Sequence, residues 1–224
     1  MVTSVVIPAL NEAGNITGVV VAARAQAVDE VIVVDNGSSD TTAAVAAAAG
    51  AVVVVETRRG YGYACAAGSA AALGDILVYL DGDGSSLPAE MSRLSEPLRA
   101  GAADLMLGSR VLGHIAAGAM PPHQRWGNWL AASLMRGLYR VQVTDLGPYR
   151  AIRRDLLVAL DMREMTFGWP TEMMVKVACR GARIHEVPVS CHARTWGCSK
   201  VGGSLRGSML AAYQILSVTL RYAR

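Results

Sequence analysis

The stretch GDILVYLDGDG, residues 74–84, decides the fold. Its centre is a short, continuous apolar run, which is typical of a strand buried on both faces of a sheet. The run predicts a strand over residues 75–81, and two carboxylates follow, Asp81 and Asp83, which alternate with Gly82 and Gly84. Because isolated charges are costly to hold beside a buried strand, this acidic pair needs a positive partner. The alternative is an ordinary acidic turn in front of a helix.

Strands and helices alternate regularly through the first half of the chain. Short apolar, β-branched runs predict strands over residues 3–8, 30–35, 51–56, 75–81 and 103–109. The stretches between them predict helices over residues 13–27, 40–50, 61–73 and 88–99. This alternation favours an α/β fold with a mostly parallel sheet and helices on both faces.

The second half of the chain is less regular. Glycine and proline predict a loop over residues 111–124, and a glycine-rich loop is expected over residues 195–204. Helices are predicted over residues 125–140, 170–179 and 205–222, and strands over residues 144–152 and 183–191. No repeat or linker divides the chain, so we expect one domain spanning residues 1–224.

Composition excludes several classes of protein. The net charge of +3 predicts no nucleic-acid partner, and the first residues lack the pattern of a signal peptide. No apolar run approaches the ~18 residues of a membrane-spanning helix, so we expect a cytoplasmic protein. The four cysteines form no CxxC pair and are expected to be reduced. Cys191, His192 and Cys198 match no standard zinc site.

Two common nucleotide-binding motifs are absent from the sequence. There is no GxxxxGK[ST] P-loop, and the first strand leads into PALNEAGN, residues 8–15, rather than GxGxxG. The glycines of GYGYACAAG, residues 60–68, have a suggestive spacing, but a tight strand–helix turn explains them equally well.

Acidic residues follow three of the predicted strands. Glu12 lies just beyond the first strand, Asp35 ends the second, and Asp81 and Asp83 follow the fourth. Since ligands of such sheets sit beyond the carboxyl ends of the strands, these carboxylates are expected to face one site. A hard cation such as Mg²⁺ or Mn²⁺, together with a diphosphate and a nucleoside, would satisfy them. The basic residues suited to phosphate oxygens are Arg110, Arg194 and Lys200.

Successive blocks of the sequence carry a family resemblance over nearly the whole chain. They are VVIPALNEAGNI (5–16), VIVVDNGSSDTT (31–42), GYGYACAAGSAAALGDILVYLDGDGS (60–85), LGSR (107–110), EVPVS (186–190) and GCSKVGG (197–203). In these blocks the chain resembles the inverting GT-A glycosyltransferases of family 2. Within that family it resembles the dolichol-phosphate mannose synthase and polyprenyl-phosphate glucosyltransferase group. The resemblance implies a GT-A-like (Rossmann-like) fold, with a nucleotide-sugar-binding half, residues 1–110, and an acceptor-binding half, residues 111–224.

The resemblance also implies site residues. Metal binding is expected at Asp81 and Asp83, near the donor diphosphate. Donor binding is expected at Pro8, Leu10, Glu12, Asp35, Gly60, Asp81, Gly82, Asp83, Arg110, Arg194, Ser199 and Lys200. The residues expected to act in catalysis are Asp83, Glu172, Arg194 and Lys200. For Glu172, an ordinary solvated helix position is an equal alternative.

The implied activity is a metal-dependent, inverting transfer of a sugar from a nucleotide-diphosphate donor to a polyprenyl or dolichyl phosphate, which is a hexosyltransferase activity with Mg²⁺ or Mn²⁺ as cofactor. The segment DLGPYRAIRRDLL, residues 145–157, looks more like the UDP-glucose branch than the GDP-mannose branch, so UDP is favoured and GDP stays open. A soluble hydroxyl acceptor is the alternative, and it would need a base such as Glu172 or Asp145.

Other possibilities stay open from the sequence. A nucleotidyltransferase or a non-catalytic nucleotide-sugar-binding protein would also place carboxylates at a sheet edge. The apolar pattern of residues 205–222 fits either a helix packed on the core or a helix lying peripherally on the cytoplasmic membrane face.

Overall fold

The computed structural model describes residues 1–197 and 205–223, and its strands form one sheet. The strands are β1 (Thr3–Ala9), β2 (Glu30–Asp35), β3 (Val52–Val55), β4 (Ile76–Tyr79), β5 (Leu105–Ser109), β6 (Arg150–Arg153) and β7 (Ile184–Pro188). Their order across the sheet is β3-β2-β1-β4-β6-β5-β7.

Helices connect these strands. They are α1 (Ile16–Arg24), α2 (Thr42–Ala48), α3 (Tyr61–Ala71), α4 (Met91–Arg99), α5 (Pro122–Tyr139), α6 (Arg154–Leu160), α7 (Trp169–Cys179) and α8 (Leu205–Arg221). A short 3₁₀ turn, Pro88–Glu90, precedes α4. No helix among the described residues is both long enough and apolar enough to cross a bilayer.

The sheet is mostly parallel, as the sequence predicts. Strand β1 pairs in parallel with β2 and β4, β2 with β3, and β5 with β7. Strand β6 is the exception, because it runs antiparallel to both β4 and β5. The carboxyl ends of β1, β2, β4 and β5 therefore lie at one edge of the sheet, and β6 begins at that same edge.

Helices cover both faces of the sheet and bury two hydrophobic cores. One core joins Ile16 of α1 and Leu94 of α4 to residues such as Val5 and Val78 of the strands. The other joins Cys65 of α3 and Met173 of α7 to residues on the opposite side of the same strands, among them Leu77 and Tyr79. The side chains of β1 and β4 are buried on both faces, which is why their sequences are continuously apolar.

The predicted strand over residues 144–152 is shorter than expected. Its first part has its backbone N–H groups paired with side chains instead of a neighbouring strand. The N–H groups of Thr144 and Asp145 donate to the Glu186 carboxylate, at 2.8 and 3.1 Å to Oε1, and that of Leu146 donates to Asn128 Oδ1. Within the predicted range, strand pairing with β4 and β5 begins only at β6. The seven-residue helix α6 follows it directly and was missed, because one short helix leaves a weak periodic signal.

Helix α3 approaches the sheet closely at Gly68, and this contact should be sensitive to a single methyl group. A Cβ at Gly68 would lie 2.4 Å from Val6 Cγ1 and 2.8 Å from Val34 Cγ2. We expect Gly68→Ala to lower the free energy of unfolding by ~1–3 kcal/mol, the usual cost of overpacking, measured by urea denaturation. The control is Gly137→Ala in α5, where nothing lies within 4 Å and the helix should gain up to about 1 kcal/mol. Equal effects at both positions would contradict this packing.

Candidate active site at the carboxyl edge of the sheet

The structure brings several of the predicted site residues together at the carboxyl edge. The guanidinium of Arg194 bridges two acidic side chains from different strand–helix connections. Its Nη1 lies 2.7 Å from Glu12 Oε1, and its Nη2 lies 2.8 Å from Asp83 Oδ2. Burial raises the strength of such pairs, since all three side chains are at most 16% exposed. Arg194 is thus the positive partner that the acidic pair requires.

Asp81 sits deeper in the edge than Asp83. The hydroxyl of Tyr61 donates to Asp81 Oδ1 at 3.2 Å. Desolvation by burial, followed by the negative charge of Asp83, raises the pKa of Asp81 to about 7. Both causes penalise the ionised carboxylate, and a bound cation would offset both.

The acidic turn fits a hard divalent cation that takes further ligands from its substrate. Among the described residues, no group of three or more His, Cys, Asp or Glu side chains is arranged to hold a metal by itself. Mg²⁺ commonly binds through one or two carboxylates together with phosphate oxygens, which matches Asp81 and Asp83. Gly82 lets the turn lie against the core, because a Cβ there would be 3.2 Å from Ile16 Cδ1 and 3.3 Å from Ile7 Cγ2.

The expected nucleoside pocket lies at the ends of β1 and β2. Pro8 is within β1, and Leu10 is the first residue after this strand. Asp35 ends β2, is buried, and accepts a hydrogen bond from the Ser38 N–H at 3.0 Å through Oδ1. Its second carboxylate oxygen is the group we expect to meet a base or ribose.

Asn36 is a structural residue of this pocket that the sequence reasoning missed. Its Nδ2 donates to the carbonyl oxygens of Glu56 and Arg58, at 3.0 and 2.7 Å. Its Oδ1 accepts from the Gly60 N–H at 2.9 Å. Asn36 therefore fixes the loop between β3 and α3. The sequence offers no local signal for this role, because the partners of Asn36 lie 20 to 24 residues further along the chain.

Gly60 and Gly62 join the two halves of the chain. A Cβ at Gly60, whose φ is 151°, would lie 2.4 Å from the Met165 carbonyl oxygen, and one at Gly62 would lie 2.5 Å from the Glu164 carbonyl oxygen. The Gly62 N–H donates to the Met165 oxygen at 3.1 Å. These glycines let residues 164–165 rest on the start of α3, where Tyr61 reaches Asp81. The close approach is thus to protein backbone, while nucleotide binding by Gly60 stays a prediction.

Arg110, directly after β5, is held by a buried carboxylate. Its Nε and Nη2 lie 2.8 and 2.7 Å from the two oxygens of Asp145, which is 1% exposed. Although burial lowers it, hydrogen bonds and charge from Asp145 raise the pKa of Arg110 above its ordinary value. Asp145 was named as a possible base, but its two oxygens are engaged in orienting Arg110. Arg110 is left as a permanent, positioned cation.

Glu172 is fully buried and has four hydrogen-bonding partners. Its Oε2 accepts from the N–H groups of Arg163 and Glu164, and its Oε1 lies 2.9 Å from both Lys176 Nζ and the Tyr222 hydroxyl. Although burial raises it, the hydrogen bonds, led by that from Glu164 N–H, lower the pKa of Glu172. These contacts favour an anchoring role, and its catalytic role stays a prediction. Ser199 and Lys200, the remaining expected residues, lie outside the described residues.

The chain is similar to known proteins over most of its length. The sequence profile of glycosyl transferase family 2 matches residues 4–160. The chain belongs to glycosyltransferase family 2. An uncharacterized glycosyltransferase of Mycobacterium tuberculosis is 41% identical over 156 residues, which is 70% of each chain. The undecaprenyl-phosphate mannosyltransferase of Micrococcus luteus is 34% identical over 161 residues, or 67% of this chain and 64% of that one.

Solved structures place this family 2 protein among the GT-A enzymes. Glucosyl-3-phosphoglycerate synthase of Mycobacterium tuberculosis, in complex with Mn²⁺, UDP and glucosyl-3-phosphoglycerate, has a TM-score of 0.81 and 26% identity. The match covers 99% of this chain and 80% of that chain. The same enzyme is also known with Mg²⁺ and UDP. The expected enzyme class and GT-A fold are confirmed, and the metals of this relative are those expected for the acidic pair.

The contacts of Glu172 predict what its substitution would do. We expect Glu172→Gln to lower the free energy of unfolding by ~1–3 kcal/mol, because buried donors lose their acceptor. Turnover below the melting temperature should fall by less than about tenfold, whereas loss of a general base costs roughly 100-fold or more. Tyr222→Phe, which removes one of the same hydrogen bonds, is the matched control and should act in the same direction but less. Wild-type stability with a hundredfold loss of turnover would restore the catalytic assignment.

Proposed function

We propose that this family 2 enzyme is a metal-dependent inverting hexosyltransferase that transfers a sugar from a nucleotide-diphosphate donor, UDP-glucose-like, to a polyprenyl phosphate. The observation that carries the proposal is the charge arrangement at the carboxyl edge. Two carboxylates suited to a cation, Asp81 and Asp83, lie near two guanidinium groups, because Arg194 is 2.8 Å from Asp83 and the charge of Arg110 acts on Asp81. A metal-bound diphosphate would satisfy all of these charges at once.

The donor is held in two parts under this proposal. Asp81 and Asp83 hold the metal, and Asp35, with Pro8 and Leu10, holds the nucleoside. Glu12 also lines the nucleoside pocket and is paired with Arg194. The phosphates are met by Arg110, Arg194, Ser199 and Lys200. UDP is favoured over GDP because the solved relative binds UDP, and its structural match covers 99% of this chain.

The chemical step needs charge stabilisation more than proton transfer. The acceptor oxygen attacks the anomeric carbon from the side opposite the leaving diphosphate, and the metal, when bound, neutralises charge that grows on that group. Arg110, oriented by Asp145, adds a fixed positive charge there. The two candidate bases, Asp145 and Glu172, already have partners for both carboxylate oxygens. An acceptor that arrives as a phosphate anion needs no base, and this supports the lipid phosphate.

A soluble acceptor is the second candidate. The complex of the solved relative with glucosyl-3-phosphoglycerate favours it, since that ligand also carries a phosphate. Both acceptor classes present an anion to Arg194 and Lys200. They differ in the apolar chain, which only a polyprenyl phosphate would bring.

Peripheral contact with a bilayer fits the surface of α5 and α8. These two helices pack together, and the Tyr139 hydroxyl of α5 donates to the Thr219 carbonyl oxygen of α8 at 2.5 Å. Neither helix contains Asp or Glu in its sequence. Their large exposed apolar side chains are Trp126, Trp129, Leu138, Met209, Leu210, Tyr213 and Leu220. Exposed aromatic side chains on helices that contain no Asp or Glu suit the headgroup region of an anionic membrane.

The metal assignment predicts a loss of turnover at Asp83. We expect Asp83→Asn to reduce sugar transfer by roughly 100-fold or more, because charge neutralisation by a metal contributes several kcal/mol. The assay is release of nucleoside diphosphate from a panel of UDP- and GDP-sugars, with and without polyprenyl phosphate. Asp104→Asn, at the opposite edge in an ion pair with Arg183, is the control and should leave turnover unchanged. Transfer that survives both EDTA and Asp83→Asn would refute the proposed metal-dependent reaction.

The aromatic surface predicts salt-sensitive membrane binding. We expect the protein to sediment with anionic liposomes at low salt and to be released at high salt. The double variant Trp126→Ala/Trp129→Ala should sediment several-fold less, since each interfacial tryptophan buries a large amphipathic ring. Val158→Ala removes another exposed apolar side chain, outside this surface, and should not change sedimentation. Equal sedimentation of all three proteins would contradict the role of this surface, and absence of sedimentation by the wild type would favour the soluble acceptor.

A further inference from the structure

Residues 191–197, which we call the strap, cross the carboxyl edge of the sheet over the acidic turn. Cys191 forms isolated bridges with Ser86 and Ile115, and the His192 N–H donates to the Ser85 carbonyl oxygen at 2.8 Å. The strap is therefore fixed at one end to the loop that carries Asp83.

The other end of the strap rests on the loop between β1 and α1. Thr195 Oγ1 donates to Asn15 Oδ1, and Asn15 Nδ2 donates to the Trp196 carbonyl oxygen, both at 3.1 Å. The Trp196 ring lies against Gly14, where an added Cβ would be 3.0 Å from Trp196 Cγ. The strap thus spans the two loops that would flank a bound donor.

Arg194, in the middle of the strap, uses the oxygen of Asp83 that a metal would need. The two oxygens of Asp83 are both engaged, since Oδ1 accepts from the Ser85 N–H at 2.9 Å and Oδ2 accepts from Arg194 Nη2 at 2.8 Å. The backbone bond belongs to the turn itself. A divalent cation bound to Oδ2 would lie beside the guanidinium, and because two cations repel strongly at contact distance, metal binding favours departure of the guanidinium.

We propose that Arg194 is an internal counter-ion which exchanges with the metal, leaving Asp83 and turning to the donor diphosphate as the metal–diphosphate binds. This inference rests on the proposed metal-dependent function and deepens it. The exchange balances charge, because the metal replaces the guanidinium at the carboxylate and the diphosphate gives the guanidinium a new anionic partner. Arginine suits both partners, since its planar fork matches carboxylate and phosphate alike.

Under this exchange, Arg194 has opposite effects on two affinities, that for the metal alone and that for the metal with diphosphate. Metal alone displaces the guanidinium without offering it a new anion, so Arg194 weakens binding of the metal alone. Metal with diphosphate offers that anion, so Arg194 strengthens binding of the pair. Arg194 thereby couples the two ligands positively, and linkage requires each to tighten the other.

The test is Mn²⁺ binding to the full chain, measured as loss of the free-ion electron paramagnetic resonance signal, with and without UDP. We expect Arg194→Met to bind Mn²⁺ alone about tenfold more tightly than wild type, and to bind Mn²⁺ with UDP more weakly, within the usual range of such couplings. Adding Asp83→Asn to Arg194→Met should abolish the gain. Arg183→Met removes the same charge from an ion pair with Asp104 at the opposite edge and should change neither affinity.

The strap also supplies a signal that does not depend on turnover. If Arg194 leaves Asp83, the contact of Trp196 with Gly14 should change, and addition of Mn²⁺ with UDP should alter tryptophan fluorescence in wild type but not in Trp196→Phe. Arg194→Met that binds Mn²⁺ alone no more tightly than wild type would overturn the exchange. Failure of the proposed function is distinguishable, because wild type would then bind UDP equally with and without Mn²⁺.

Discussion

The structure depends on keeping negative charge at the end of a buried sheet. Parallel pairing of β1, β2 and β4 forces Glu12, Asp35 and the Asp81–Asp83 turn to one edge, where water is partly excluded. Repulsion and desolvation would destabilise this edge if each carboxylate had no donor. The chain supplies donors from far away in sequence, and Arg194, 111 residues after Asp83, is one of them. The late strap therefore belongs to the site as much as the strand ends do.

At the start of α3 the two halves of the chain meet through backbone. Gly60 and Gly62 permit residues 164–165 to rest on the start of α3, and Glu172 holds that segment from the other side through the N–H groups of Arg163 and Glu164. Tyr61, between the two glycines, then reaches Asp81. Glu172 of α7 thus supports the Asp81–Asp83 turn indirectly. It acts through residues 163–165 and Tyr61 rather than by direct contact with the turn.

Sequence reasoning recovered the parallel strands and their terminal acids, because both produce local patterns. A continuous apolar run ended by Asp81 and Asp83 is visible without knowledge of the fold. What the sequence did not show depends on contacts between distant segments. The start of β6 was misplaced because Glu186 and Asn128 bind the N–H groups of residues 144–146. The contact of Glu172 with Tyr222 could not be predicted either, since the two residues lie 50 positions apart in the chain.

The positioned guanidinium of Arg110 and the hydrogen-bonded carboxylates of Asp145 and Glu172 indicate which kind of reaction this site can support. Both carboxylate oxygens of Asp145 bind Arg110, and both of Glu172 accept hydrogen bonds from the protein. Arg110 is thereby positioned and stays charged. A site built this way stabilises anions well and removes protons poorly. This agrees with our proposal that the substrates bring their own negative charge, a diphosphate as leaving group and a phosphate as nucleophile. Under the proposed exchange Arg194 has two roles. Its guanidinium balances the charge of Asp83 before the donor binds and the charge of the diphosphate afterwards.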